Sequence, residues 1–242
     1  KVPSIVTLGV NDIAEDVHSV TQAQANVAML RFNMATNIAL APWRSLRVER
    51  GGASDSSKPL GRNTNVKFVR IFKDIDQSDT LTVNDVNISE VNTTLVTILS
   101  SATNAPFDLV VFSTKGFPID NAGDPVGGRI WVNDAELMTF SGPGCAAMIT
   151  PGIDDLTGRP CLNITSRGDQ LGTSASPRIN HAAGISVRKV DVFDQTNDSN
   201  VQTLITLKDD QFIGPAAQAF FIAYDIGDPA VIAIGNGGNG NY

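Results

Sequence analysis

Reactive side chains are scarce in this sequence. Two cysteines and two histidines stand among 242 residues, and aromatic residues make up only 6%. A structural zinc site needs four ligands, and no histidine or second cysteine pair lies near Cys145 and Cys161. His18 falls in a segment with helical spacing and His181 in a glycine-bearing loop, and neither is expected to serve as a general base. No G-x-S-x-G elbow, H-E-x-x-H pair or P-loop occurs. Gly235, Gly237, Gly238 and Gly240 spell G-x-G-x-x-G, but no helical stretch follows to hold a pyrophosphate. These absences predict no catalytic residue, no metal and no cofactor, so the chain does not read as an enzyme.

Positive charge is also in short supply. Eighteen Lys and Arg against 25 Asp and Glu give a formal net charge of −7 and a pI near 4.7. Nucleic-acid backbones and anionic membranes both need a positive surface, so neither is expected as the main partner. No apolar run reaches the ~18 residues of a membrane span. The sequence starts at Lys1, and any membrane contact is expected through a segment not present in this chain.

What the chain does contain is material for a core and for strands. At 42% hydrophobic and 18% charged it can bury one large β domain or two small ones. The expected class is α+β, mainly β: a long N-terminal helix ahead of a sandwich or barrel-like body of about ten strands. Apolar residues from Val10 to Ala41 recur at steps of three and four, with Pro42 as the stop. Ile13, Val17, Val20, Val27, Leu30, Met34 and Ile38 form that stripe and are the expected assembly interface between copies. Packing of the helix on its own β body is the alternative use of the stripe.

Gly51–Arg62 is a polar Gly/Ser loop between helix and body. Strands are expected at Asn65–Lys73, Thr80–Ile88 and Thr94–Leu99 from period-two alternation. One long strand is expected from Arg129 to Phe140 and a short one near Leu162–Thr165. Ile185–Phe193 and Val201–Leu207 read as a hairpin, and Ala219–Tyr224 and Ala230–Ile234 complete the sheet. Four segments follow: 1–44, the assembly helix; 45–106, a first β segment; 107–188, a β-module with a cysteine-bracketed loop; 189–242, closing strands and a flexible tail.

Cys145 and Cys161 flank a turn-rich loop, and a disulfide or two buried thiols account for them; a bond would place the chain outside the reducing cytosol. Asn87, Asn92, Asn163 and Asn197 each open an N-x-S/T triplet, a possible glycosylation acceptor in an exported protein. Carboxylates gather at Asp74, Asp76 and Asp79 and at Asp120 and Asp124; solvated turns are the expected role, with calcium the competing one. Glu136 sits mid-strand among apolar neighbours, and a structural hydrogen bond or ion pair is expected, with Arg167 as the candidate partner.

The run Ser113, Thr114, Gly116, Phe117, Pro118, then Gly128, Glu136, Met138, Phe140, Gly142, then Arg167, Gly168, Gly172, Thr173, His181 and Gly184 resembles a small all-β module. Such a module is associated with large extracellular proteins, with type IV pilin-like proteins and with structural proteins of tailed phages. Val2-Pro3-Ser4-Ile5-Val6 is similar to the proline-bearing stretch of type IV pilin helices. The resemblance implies a non-enzymatic subunit of an extracellular, pilin-like filament, built from copies of itself through the N-terminal helix. Its alternative is a virion component of a tailed phage: capsid, decoration or tail. A calcium- or glycan-binding surface module is the third expectation.

Overall fold

Val, Ile, Thr and Phe, residues that favour extended backbone, fill the strands of this chain. The computed structural model describes residues 6–11, 23–37, 39–50, 66–99, 107–118, 126–133, 135–145, 152–167, 170–171, 174–175, 180–191, 193 and 202–227. Among the described residues every regular element is a strand, and the class is all-β.

Two units divide the chain: Lys1–Ser89 with Val192–Tyr242, and Glu90–Asp191. In the first lie β1 (Val6–Asn11), β2 (Val27–Thr36), β3 (Ala41–Glu49), β4 (Val66–Lys73) and β5 (Val86–Asn87). The second holds β6 (Asn92–Leu99), β7 (Phe107–Val111), β8 (Gly128–Val132), β9 (Glu136–Pro143) and β10 (Ile153–Asp154). It continues with β11 (Arg159–Arg167), β12 (Gln170–Leu171), β13 (Ser174–Ala175) and β14 (Ser186–Val190). The chain then returns to the first unit for β15 (Gln202–Ile213) and β16 (Gln218–Ile226).

The first unit is built from a five-stranded sheet, β1-β2-β16-β4-β5, and a two-stranded sheet, β15-β3. Both contribute to one core, in which Phe32, Met34, Val69, Ile71, Phe220 and Ile222 meet Trp43, Ile205 and Ile213. Trp43 lies edge-on to Phe220 at 5.0 Å between ring centres, and its indole N–H donates to the Ser45 carbonyl at 2.7 Å. That bond satisfies the polar end of a ring whose body is buried.

The expected helix is therefore corrected. Residues 27–36 form β2, paired antiparallel with β1 on one side and β16 on the other. Phe32, Met34 and Thr36 alternate as buried residues, while Arg31, Asn33 and Ala35 between them are half-buried. Phe32 lies off the three-and-four stripe, and its burial fixes the period at two. Apolar residues on both sheet faces blurred that period, because Ala28 also packs on a small second cluster of Phe72, Phe221 and Ala223. Pro42, expected as a helix stop, lies inside β3 opposite Phe212. A proline needs a strand that does not use its missing N–H, and β3 is an edge strand.

The second unit closes on itself. Its order runs β11-β7-β6-β14-β8-β9, and β9 pairs back to β11, so six antiparallel strands make a barrel. A barrel this small has its interior filled by side chains. Leu95, Leu109, Ile130, Met138, Phe140, Leu162, Ile164 and Val187 fill it.

Three further expectations change here. Of the strand expected at Thr80–Ile88 only Val86–Asn87, β5, forms, with the residues before it in turns. The stretch from Arg129 to Phe140 is two strands, because Asn133 turns the chain with φ of 53° and β8 folds back on β9. Ile185–Phe193 does not form a hairpin with Val201–Leu207; β14 lies between β6 and β8, whereas β15 pairs with β3. Ala230–Ile234 and the C-terminal glycines lie outside the described residues.

Candidate functional site

One end of the barrel gathers Glu136, Arg167 and His181. Glu136 is the first residue of β9, Arg167 the last of β11, and His181 lies just ahead of β14. Closure of the barrel brings these three ends together. The Glu136 side chain is 0% exposed, and its Oε1 and Oε2 accept from Arg167 Nε and Nη2, both at 2.8 Å. This is the two-pronged geometry that makes Arg–carboxylate pairs strong. His181 Nε2 stands 2.8 Å from Glu136 Oε2, and its side chain is 1% exposed. The Arg167 guanidinium is held more basic than usual by its hydrogen bonds to Glu136.

A general acid or base must reach a substrate proton. Here both carboxylate oxygens are engaged by protein donors and the carboxylate is sealed from solvent, so the arrangement suits bracing rather than proton transfer. It ties β9, β11 and the β14 approach across the end of the barrel. The ion pair expected between Glu136 and Arg167 is present, and His181 joins it.

A second charged pair, which sequence reading missed, sits toward the other end of β14. Lys189 Nζ is 2.8 Å from Asp191 Oδ2, with both side chains nearly buried. Burial depresses the lysine and pushes the aspartic acid up to about 6, against the attraction between them. The available signal was phase: Lys189 lies two residues from Val187, on the inward face of the strand.

The aspartate group in the first unit is a stitched loop. Carboxylate oxygens of Asp74, Asp76 and Asp85 lie within 4.8 Å of one another. Asp74 accepts from Gln77 N at 2.7 Å and Arg31 Nη2 at 3.3 Å. Asp85 accepts from Ile75 N at 3.0 Å and Thr82 N at 2.7 Å. Asp76 is held down at about 2 by hydrogen bonds from Ser78, Thr82 and Asn84. Every one of these oxygens already has a protein donor, and Arg31 brings positive charge to Asp74 and Asp79. The set fits a braced turn better than a calcium cage, which takes six to eight oxygens. Asp79 pairs with Arg31, while Asp85, not anticipated, completes the group; Asp120 and Asp124 lie outside the described residues.

Cys145 and Cys161 form a disulfide with Cα atoms 5.9 Å apart, buried against Val110. Of the expected assembly stripe, Val27 and Met34 are buried in their own unit and Leu30 is half-buried on β2. Ile13, Val17, Val20 and Ile38 lie outside the described residues, as do His18 and Asn197. Asn92 is exposed on β6, with its amide donating to Glu90 at 3.2 Å. Asn87 and Asn163 are half-buried on β5 and β11. Among the described residues no helix is long and apolar enough to cross a membrane.

Comparison with known protein families, with curated proteins and with solved structures finds no match to this chain. The fold defines the class: an all-β protein in which a six-stranded barrel is inserted, in chain order, into a two-sheet unit. The disulfide and the β-rich fold are compatible with an extracellular location.

Proposed function

We propose that this chain is a non-enzymatic structural subunit that works by packing against copies of itself, as a component of a tailed-phage virion. The observation that carries the reading is the buried Glu136–Arg167–His181 brace. The charged residues that mark the module are engaged with one another and hold the barrel closed. The resembled module is shared by extracellular, pilin-like and phage structural proteins and supports a structural setting. The presence of β2 in place of the expected helix removes the feature that favoured the filament, and the acidic balance argues against a nucleic-acid partner.

The disulfide favours a second reading, an extracellular filament subunit of pilin-like kind, because disulfides persist outside the reducing cytosol. In either role assembly runs through strands and loops, since the stretch 27–36 is β2 and not a helix.

Peptide mass spectrometry separates these on two fractions from the source: density-banded virus particles and sheared surface filaments. The virion reading expects peptides of this chain in the particle band at structural stoichiometry. Peptides in the filament fraction alone move the assignment to the second reading. Their absence from both overturns a structural role.

A further inference from the structure

The five-stranded sheet of the first unit ends in a strand that is finished on one side only. β1 pairs with β2, and its other edge has no strand beside it among the described residues. Val6 and Leu8 lie opposite Thr36 and Met34 of β2, on the sheet face that carries the core. Even so they are 43% and 52% exposed. Their exposure marks this margin of the sheet face as uncovered among the described residues.

Natural sheets blunt their free edges with short strands or charge. In this unit β5 is two residues long, β3 carries Arg44, Arg47 and Glu49, and β15 carries Lys208, Asp209 and Asp210. β1, with the sequence Val-Thr-Leu-Gly-Val-Asn, has no charged residue at all in a chain of net charge −7. Its apolar residues are also symmetric about Leu8: Val6 stands two positions before it and Val10 two after.

We propose that β1 is a self-pairing edge, whose occupant is β1 of a second copy, antiparallel and centred on Leu8. This register sets Leu8 opposite Leu8, Thr7 opposite Gly9 and Val6 opposite Val10. It is an isologous contact, in which one two-fold axis serves both copies. Two uncharged strands meet without like-charge repulsion, and Val6 and Leu8 of each copy gain apolar neighbours across the new ladder.

Six residues at about 3.4 Å each make a ladder only ~20 Å long. Such an edge falls short of the roughly 1,200 Å2 buried by a free-standing dimer. The contact is therefore suited to copies already held side by side by other surfaces. In that respect it rests on the proposed structural role and names one of its joints.

Cysteine cross-linking of the full chain tests the register, and the native Cys145–Cys161 bond leaves no competing thiol among the described residues. Oxidation of Leu8→Cys in concentrated protein is expected to give a covalent dimer on a non-reducing gel. Val6→Cys alone should give none, since the two copies of that position lie ~14 Å apart in this register, beyond disulfide reach. A mixture of Val6→Cys with Val10→Cys should restore the dimer. Leu8→Cys remaining monomeric, or Val6→Cys alone dimerising as readily, overturns the proposal. A missing cross-link in a chain found in particles removes this joint only. A cross-link in a chain absent from both particles and filaments removes the structural role and leaves the contact standing.

Discussion

Removing Arg167 asks whether the brace at the barrel end holds the second unit together. In Arg167→Met the aliphatic body is kept, while Glu136 remains fully buried with both hydrogen bonds from the guanidinium gone. Removing one partner of a buried pair costs about 3–5 kcal/mol. Arg167 is 26% exposed, so water compensates in part and the expected loss is about 2–3 kcal/mol. With a urea dependence of ~1–2 kcal/mol per M, the barrel midpoint should fall by roughly 1–3 M. Trp131 on β8 reports the barrel and Trp43 on β3 the other unit, so fluorescence in a Trp43→Phe background isolates the transition. Glu136→Met combined with Arg167→Met should be less unstable than the sum of the two single changes, because no unpaired charge stays buried. An Arg167→Met midpoint within ~0.5 kcal/mol of the parent, or strict additivity in the cycle, would refute the reasoning.

Three other outcomes are expected. Asp191 holds its proton up to about 6 in the folded chain and to 3.8 when free. The folded state thus keeps a proton that the unfolded state has lost, and its contribution to stability falls as pH rises from about 4 to about 6. Urea midpoints across that range should show the slope in the parent and lose it in Asp191→Asn. Gly144→Ala should destabilise the barrel by about 1–3 kcal/mol, since a Cβ there would stand 2.5 Å from Asp108 Oδ1 and 2.9 Å from the Leu162 carbonyl carbon; a melting point equal to the parent's would contradict the packing. Reducing Cys145–Cys161 should cost the barrel roughly 3 kcal/mol for a loop of this size, read as a lower midpoint with reductant. Thiol alkylation before reduction should add no mass if the bond is formed in the isolated protein.

Part of this architecture was legible in advance. Period-two alternation located β4 and β6, β-forming runs between turn residues located β14 and β16, and glycine with proline marked the turn at Gly116–Pro118. Glu136 announced itself as a charge inside an apolar strand, and Arg167 was a candidate partner that the barrel end brings to it. The stretch from Val10 to Ala41 misled because apolar residues at steps of three and four coexist there with alternation. Which period governs depends on β16, almost two hundred residues away, lying beside β2. Pairing of β15 with β3 and closure of β9 onto β11 are likewise non-local, and no short window of residues encodes them. The Lys189–Asp191 pair escaped notice because a lysine at an inward strand position reads as an exposed one until its neighbours are known.

The insertion of the barrel between Ser89 and Val192 carries a consequence for synthesis on the ribosome. All six barrel strands are complete once residue 190 has left the exit tunnel, whereas the five-stranded sheet still lacks the strand at its middle, β16, which emerges only after the barrel. Vectorial translation thus lets the inner unit settle while the outer one waits with β2 and β4 unjoined. Those two uncoupled ribbons, rich in Phe, Ile and Val, are the stretch of the nascent chain most in need of a chaperone.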